Sequence, residues 1–141
     1  MLWFQFYPTK MQLSKNNNYN PRFIVIQKLY GNHFNKEQKI VFPKHRYKKF
    51  IKDIVSGTIE RKEFIDEIIT SELQNEIRVL NDLLLKIIIE ASIYEFAFRQ
   101  DTPIKVIINE YLNVAKILLD DGKKSFLHAI LDKLAKKMRW F

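Results

Sequence analysis

Residues 83–98, LLLKIIIEASIYEFAF, form the most apolar stretch of the chain and decide its fold. Leucine, isoleucine and phenylalanine occur on every side of the helical wheel, so almost no continuous polar face remains. A helix of this kind has to be covered by other helices on all sides. The stretch is too short to span a bilayer, and Lys86, Glu90 and Glu95 interrupt it. We therefore predict the central helix of a soluble α-helical domain, called the hub helix below.

The composition agrees with one compact helical domain. The chain has 141 residues, of which 47% are hydrophobic, with only three glycines and four prolines. So few breakers argue against a turn-rich all-β fold. The absence of cysteine excludes disulfides, argues against a structural zinc site and fits a reducing compartment. The excess of 24 basic over 16 acidic side chains favours a polyanionic partner, above all nucleic acid, although it also serves solubility alone.

Apolar residues repeat with a helical period through the rest of the chain, and helix start and stop signals divide it. The Asn-Pro pair at 20–21 predicts the start of the first helix, and Gly-Asn at 31–32 weakens or ends it. The Phe-Pro pair at 42–43 is predicted to open a second helix, which Gly57 stops.

Four further segments complete the predicted all-α architecture. The third helix has an apolar face from Phe64 to Leu73, and a fourth segment begins near Glu76 and continues into the hub helix. Asp-Thr-Pro at 101–103 precedes another helix, and Gly122 separates it from the last one. In that last helix, basic residues including Arg139 are expected to point outward. No strand-like alternation of useful length occurs, so we predict a compact bundle of about six to seven helices.

The N-terminal residues differ from the rest. Residues 1–10 are apolar and aromatic but lack the basic start and the cleavage site of a signal peptide, and an Asn run follows at 16–18. We interpret residues 1–19 as a mobile arm and residues 20–141 as a single helical domain. Two explanations of the arm stay open: it packs on the domain, or Met11 is the natural start. A cytoplasmic location is expected.

No pattern for catalysis, cofactor binding or metal binding stands out. The chain lacks the glycine-rich phosphate-binding motifs, and its three histidines do not share ligand spacing with carboxylates. Glu90 and Glu95 are the best candidates for buried acids, but residues five apart on a helix point in different directions. A buried carboxylate needs a partner, and we expect Lys86, Lys105 or the free N–H groups at the start of a neighbouring helix.

Several segments together resemble the NusB family. They are ASIYEF at 91–96, DTPIKVIINEYLNVAK at 101–116 and SFLHAILDKLAK at 125–136, preceded by PRFIVIQKLYGN at 21–32. The family pattern runs approximately R-x-x-A-x-Q-A-L-Y, A-x-Y-E-L, P-x-K-V-A-I-N-E-A-V-E-L-A-K and K-F-V-N-G-V-L-D-K. The positions that match in order and spacing are Arg22, Gln27, Leu29, Tyr30, Tyr94, Glu95, Pro103, Lys105, Val106, Ile108, Asn109, Glu110, Ala115, Lys116, Phe126, Leu131, Asp132 and Lys133.

The resemblance covers roughly residues 20–138 and implies a fold and a function. The fold is all-α, with two small helical subdomains packed together. The family has no enzymatic activity and no cofactor. The implied function is transcription antitermination, through binding of the boxA element of ribosomal RNA leaders together with the ribosomal protein NusE in the RNA polymerase antitermination complex. Family members occur as monomers and dimers, and no membrane partner is implied.

Site residues also follow from the resemblance. It implies RNA binding by Lys15, Arg22, Lys123, Lys124 and Phe126, where lysines contact phosphates and the ring of Phe126 meets a base. Residues 122–126 are expected to form the loop before the last helix. The resemblance further implies partner binding by two residues, Tyr30 and Glu95. Phe126 and Tyr30 each keep an alternative as core residues.

The chain departs from the family pattern in three places. The basic entry to the first helix is thin, the family's Asn-Gly pair is His-Ala at 128–129, and Glu90 replaces an arginine of the hub. A shifted basic surface on Lys44, Arg46, Lys48 and Lys49 would compensate, although a solvated helix face is the simpler interpretation. The alternative function is therefore a helical protein–protein interaction module whose sequence-specific RNA binding is weakened or lost.

Overall fold

The structure, a computed structural model, describes residues 20–76 and 81–139. This part of the chain contains six complete α-helices and no strand, which confirms the predicted all-α fold. The helices are α1 (Pro21–Phe34), α2 (Lys48–Glu60), α3 (Lys62–Leu73), α4 (Leu83–Phe98), α5 (Ile104–Leu118) and α6 (Asp121–Met138). The predicted N-terminal arm and most of the segment predicted before the hub helix lie outside the described residues.

The hub helix is α4, and it packs against each of the other five helices. Its residues Leu85, Ile88, Ile89, Ile93 and Phe96 are completely buried, as the apolar wheel requires. Leu83, Leu84, Lys86 and Glu90 are half-buried, and Phe98 in the last turn is 40% exposed. Because neighbours cover α4 along most of its length, the prediction of a sheathed central helix is confirmed.

The helices form two groups that share one continuous core. In the first group α1 packs on α2, and in the second α4, α5 and α6 pack on one another. α4 also lies against α1 and α2, so the hub helix belongs to both groups. The buried apolar side chains of all six helices form one cluster.

Side-chain caps fix the starts of three helices. The Asn20 Oδ1 accepts hydrogen bonds from the N–H groups of Arg22 and Phe23, at 3.0 and 3.4 Å, which confirms the predicted start of α1. Asp82 and Asp120 cap α4 and α6 in the same way, each accepting from the N–H three residues later, at 3.1 and 2.9 Å. Two of the three caps thus place an aspartate at a helix start, where the helix dipole favours negative charge.

Four predicted helix boundaries are wrong. α1 continues through Gly31 to Phe34, and α2 starts at Lys48 instead of at the Phe-Pro pair. Residues 43–49 bury no side chain fully, so a helix there would gain little from tertiary packing. Gly57 lies inside α2, and Gly122 lies in the first turn of α6. Packing of the flanking apolar residues outweighs the low helix propensity of glycine at Gly57.

Close packing between two helices requires a glycine at position 57, which does not end the helix. It faces the hub helix, where a Cβ atom at residue 57 would overlap the ring of Tyr94. That ring is held in place, because its hydroxyl donates to the Asp53 Oδ1 at 3.1 Å and its face lies 5.3 Å from the ring of Phe98. The absence of a side chain at Gly57 therefore sets how closely α2 approaches α4.

Arg139 was predicted to point outward into solvent, and this prediction is wrong. It is 9% exposed, and its guanidinium donates to the carbonyls of Phe96 and Glu95 at 2.9 and 3.0 Å. It also donates to the carbonyls of Arg99 and Thr102. The last carbonyls of a helix lack partners within the helix and carry the negative end of its dipole. The chain after α6 thus caps the C-terminal end of the hub helix.

The Gly57 contact gives a prediction about stability. Gly57→Ala should lower the free energy of unfolding by about 1–3 kcal/mol, the usual cost of overpacking a core, although alanine favours helix. Gly122→Ala is the matched control, because the nearest atom to its Cβ would be the Asp120 Oδ1 at an ordinary 3.5 Å. Urea unfolding of both variants measures the effect. Equal or greater stability for Gly57→Ala would contradict the packing argument.

Candidate nucleic-acid interface

A buried ion pair joins the start of α1 to the hub helix. The Arg22 Nε and Nη2 atoms donate to the two carboxylate oxygens of Glu95, at 2.9 and 2.7 Å. The Tyr111 hydroxyl of α5 donates to the same carboxylate at 2.5 Å. Glu95 is 0% exposed, so three hydrogen bonds satisfy a carboxylate with no access to water. The predicted partners of Glu95, Lys86 or Lys105 or backbone N–H groups, are therefore wrong.

The surroundings of Glu95 keep its two hydrogen-bond donors, Arg22 and Tyr111, protonated. Burial lowers the pKa of Arg22, but the hydrogen bond and charge of Glu95 outweigh burial and leave the pKa above its usual value. Burial, followed by the Glu95 charge, raises the pKa of Tyr111 well above its usual value. The phenol thus stays protonated and serves as a donor. The Arg22 guanidinium also lies 4.8 Å from the centre of the Phe50 ring, a cation–π contact.

The positions of Arg22 and Glu95 do not fit direct binding roles. Arg22 is 7% exposed and its guanidinium faces Glu95, while Glu95 has no exposed surface. A phosphate or a protein partner would reach neither group unless the helices separated. Both residues act instead by holding α1 against α4 and α5.

Lys123, Lys124 and Phe126 lie in the first two turns of α6, not in a loop as predicted. Asp120 caps this helix, and that cap makes residues 121–126 helical despite Gly122. The Lys123 Nζ forms an ion pair with the Asp82 carboxylate at 2.5 Å. One aspartate therefore caps the hub helix and binds the start of α6 to it. Lys123 is still 45% exposed at its side chain.

The other two predicted RNA contacts of α6 differ in exposure. Phe126 is half-buried and packs against the core, as its alternative interpretation expects. Lys124 is also half-buried and lines an open cleft of about 350 Å³ with Leu112, Ser125 and His128. The structure thus brings these residues together at one helix start. Lys15 lies outside the described residues.

Tyr30, the predicted partner-binding residue of α1, is half-buried, and its ring centre lies 5.1 Å from that of Phe34. Burial raises the pKa of Tyr30, and the negative charge of Asp82 adds to the effect. Asp82 thus lies close to both Tyr30 and Lys123. Tyr30 and the start of α6 therefore lie at the same end of the hub helix, while Arg22 and Glu95 lie toward its other end.

A second basic surface covers the start of α2 and the segment before it, and is called the α2 basic surface below. Its cations are all exposed, and they are Lys44, Arg46, Lys48, Lys49 and Lys52. Between residues 36 and 52 the only acidic residue is Glu37. Tyr47 is 45% exposed in the middle of this surface, and the Arg46 guanidinium lies 5.4 Å from its ring centre. Exposed cations beside an exposed aromatic ring are typical of single-stranded RNA binding.

Two structural residues were missed by sequence reasoning. Asp82 directly precedes the apolar run of α4, and an aspartate in that place is an N-cap signal that could have been used. Arg139 offers no such signal, because its carbonyl partners lie about 40 residues earlier in the chain. Within residues 20–76 and 81–139, no group of histidines and acids could hold a metal ion. No helix of this described part is long and apolar enough to cross a membrane.

The buried ion pair gives a second prediction. Glu95→Gln should lower the free energy of unfolding by about 3–5 kcal/mol, because it leaves the buried Arg22 charge without its counter-ion. Asp66→Asn is the matched control, since the Lys62–Asp66 pair is exposed and its loss should cost at most about 1 kcal/mol. Arg22→Met with Glu95→Leu and Tyr111→Phe should recover most of the loss, because neither an unpaired charge nor an unpaired hydroxyl then stays buried. Similar costs for Glu95→Gln and Asp66→Asn, measured by urea unfolding, would contradict this account.

The family profile described as "NusB family" matches residues 10–136 of the chain. A Coxiella burnetii protein named Transcription antitermination protein NusB is 36% identical over 90 residues, which are 64% of this chain and 64% of that protein. A Rhizobium leguminosarum bv. trifolii protein of the same name is 31% identical over 91 residues, which are 64% of this chain and 57% of that protein. The matches thus span less than two thirds of these relatives' length.

A solved structure of T. maritima NusB superposes on the chain with a TM-score of 0.72. The superposition covers 85% of this chain and 91% of the T. maritima chain, at 23% sequence identity, and shows that the fold is shared. The profile match covers most of the chain. It includes the hub helix with its buried Tyr94 and Glu95. The chain belongs to the NusB family.

Proposed function

We propose that the chain is a transcription antitermination factor that binds boxA-like single-stranded RNA of ribosomal RNA leaders. It acts with a NusE-like ribosomal protein in the cytoplasm, as part of an RNA polymerase antitermination complex. It is not an enzyme in this proposal. Membership of the NusB family supports the proposal, and so do the relatives named as transcription antitermination proteins.

The start of α6 supports RNA binding only in part. Lys123 and Lys124 are available to phosphates, because an ammonium has three donors and Asp82 occupies only one side of Lys123. However, Asp82, Asp120 and Asp121 lie beside the two lysines. Their charges offset those of the lysines, so this surface alone would attract a polyanion weakly.

The α2 basic surface supplies the missing positive charge at the start of α1. Phe50 of α2 lies directly against Arg22 of α1, with 4.8 Å between the ring centre and the guanidinium carbon. Lys48, Lys49 and Lys52 are neighbours of Phe50 in sequence and are exposed. This contact is the observation that carries the proposal. It brings the first turns of α2 against the start of α1, where the family pattern has its own basic residues, which are few in this chain.

The second candidate function is a helical protein–protein interaction module with weakened RNA binding. The ion pair of Lys123 with Asp82 favours it, because a neutralised lysine contributes less to phosphate binding. The half-buried Phe126 favours it too, because its ring is partly used by the core. Tyr30 is proposed as a partner contact in both candidates, and a homodimer is compatible with both.

Titration of boxA-like RNA against variants of the two basic surfaces tests the proposal. Lys48→Ala with Lys49→Ala, and separately Lys123→Ala with Lys124→Ala, should each weaken binding. Each should also reduce the slope of log K against log salt by about 1.4, as expected for two phosphate contacts on a single strand. Lys136→Ala with Lys137→Ala is the control of equal charge, because both lysines are exposed in the last turns of α6.

The proposal predicts that boxA-like RNA binds more tightly than a scrambled RNA, and that a NusE-like protein increases the difference. Equal affinities for the two RNAs, with binding of the protein partner retained, would reject antitermination by boxA recognition in favour of the interaction module. An equal effect of all three double variants would show that only net charge matters, and would reject both surfaces.

A further inference from the structure

The start of α2 carries positive charge at a place where the helix itself disfavours it. Lys48 and Lys49 occupy the first turn, Lys52 follows one turn later, and no acidic residue lies in the first turn. The positive end of the helix dipole repels cations at this position. All three lysines are exposed, so they gain nothing from burial in return. The needs of the fold therefore do not account for the α2 basic surface.

The cations of this surface keep their charge. Within residues 20–76 and 81–139, no ion pair involves any of its five cations. Asp53 lies four residues after Lys49, a spacing at which two residues of a helix often form an ion pair. The Asp53 carboxylate instead accepts from the Arg99 guanidinium at 2.8 Å and from the Tyr94 hydroxyl at 3.1 Å. Lys49 is therefore available to an anionic partner.

Tyr47 lies in the middle of these cations, and its side chain contributes little to the fold. Tyr47 is the N-cap residue of α2, yet its side chain forms no capping hydrogen bond. Serine, threonine, aspartate or asparagine would supply one at this position. The ring is almost half exposed and lies outside the hydrophobic core. An exposed aromatic ring at a position that favours a small polar residue indicates a role in binding.

The backbone of Tyr47 is held in place although its ring faces solvent. The Tyr47 N–H donates to the His45 Nδ1 at 2.9 Å, and the Tyr47 carbonyl accepts from the Ile51 N–H at 2.9 Å. A ring carried on an ordered backbone loses little conformational freedom when a flat ligand stacks on it. Tyr47 is thus prepared for stacking before any ligand arrives.

A single-stranded nucleic acid is the polyanion that uses both parts of this surface. Its phosphates bind the lysines, and an unpaired base stacks on the Tyr47 ring. In a duplex the bases are stacked on one another, so none is available to an exposed ring. Phosphate contacts carry no sequence information, and every base has a face that can stack. Binding of this kind is therefore tolerant of base sequence.

The α2 basic surface and the start of α6 lie at opposite ends of the hub helix. Phe50 of α2 packs on Arg22, which binds Glu95 near the end of α4. Lys123 of α6 instead binds Asp82, the cap at the start of α4. These two hub residues are about 20 Å apart at the helical rise of 1.5 Å per residue. About six nucleotides cover this distance at a spacing of 3.4 Å, so each surface contacts its own segment of a strand.

We propose that the α2 basic surface binds single-stranded RNA without sequence preference and stacks one base on Tyr47. In the proposed function, on which this assignment rests, the surface holds RNA that flanks the segment bound at the start of α6. The cations supply affinity for the phosphates. The ring of Tyr47 distinguishes a single strand from a duplex.

Titration of the whole chain with a scrambled single-stranded RNA, followed by fluorescence anisotropy, tests the stacking. Tyr47→Ala should weaken binding at least about fivefold, the lower end of the effect of losing one stacked base. The slope of log K against log salt should stay the same, because no charge is lost. Phe64→Ala is the matched control, since its ring is 38% exposed on α3 outside this surface, and it should leave the affinity unchanged.

Tyr47→Trp gives a direct signal of stacking. The affinity for single-stranded RNA should be retained or increase, and the RNA should quench more indole fluorescence than in the parent protein, which has two tryptophans. A duplex with the same number of phosphates should cause no additional quenching, and its affinity should not change in Tyr47→Ala. An equal loss of single-strand and duplex binding in Tyr47→Ala would overturn the stacking.

Parallel titrations with boxA-like RNA separate this assignment from the proposed function. Tyr47→Ala should weaken boxA-like and scrambled RNA by the same factor. A loss confined to boxA-like RNA would show that Tyr47 reads a particular base, and would overturn sequence independence. No loss with either RNA would overturn the stacking and leave boxA recognition untouched. Equal affinities of the parent protein for the two RNAs, with the Tyr47 effect retained, would instead reject the proposed function alone.

Discussion

The contact between Arg22 and Glu95 is the constraint on which the rest of the structure depends. A carboxylate without any access to water is stable only when fully paired, and here α1 supplies a guanidinium and α5 supplies the Tyr111 hydroxyl. The pair therefore fixes the angle and register at which two neighbouring helices meet the hub helix. At the end of the same helix, Arg139 binds the carbonyl of Glu95 itself. One residue of the hub thus joins α1, α5 and the chain after α6.

This arrangement separates residues that build the fold from residues that face ligands. The matches to the NusB pattern at Arg22, Tyr94 and Glu95 all serve packing, since all three are buried. The exposed cations of the α2 basic surface and the half-buried lysines at the start of α6 lie outside that pattern. The family resemblance therefore accounts for the fold better than for the RNA contacts.

The hub helix and the all-α fold could be predicted because the apolar wheel of residues 83–98 allows only burial among helices. The effect of the glycines on the helix boundaries could not be predicted. Gly57 lies inside a helix because the ring of Tyr94 packs against it, and Tyr94 is 37 positions later on another helix. The inward orientation of the Arg139 side chain could not be predicted either, because it depends on carbonyls at the end of a different helix. Of the predicted site, Lys123, Lys124 and Phe126 do lie together, but the neutralising charge of Asp82 depends on tertiary contact and has no local signal.

The central claim is that the hub helix and its buried ion pair make both groups of helices unfold as one unit. Native-state hydrogen exchange of the amides of α1 and α4, measured in low concentrations of denaturant, tests it most directly. The account predicts that amides of Ile26 and Leu29 in α1 exchange with the same free energy and denaturant dependence as those of Ile89 and Ile93 in α4. Exchange of the α1 amides at a clearly lower free energy, with a smaller denaturant dependence, would contradict it.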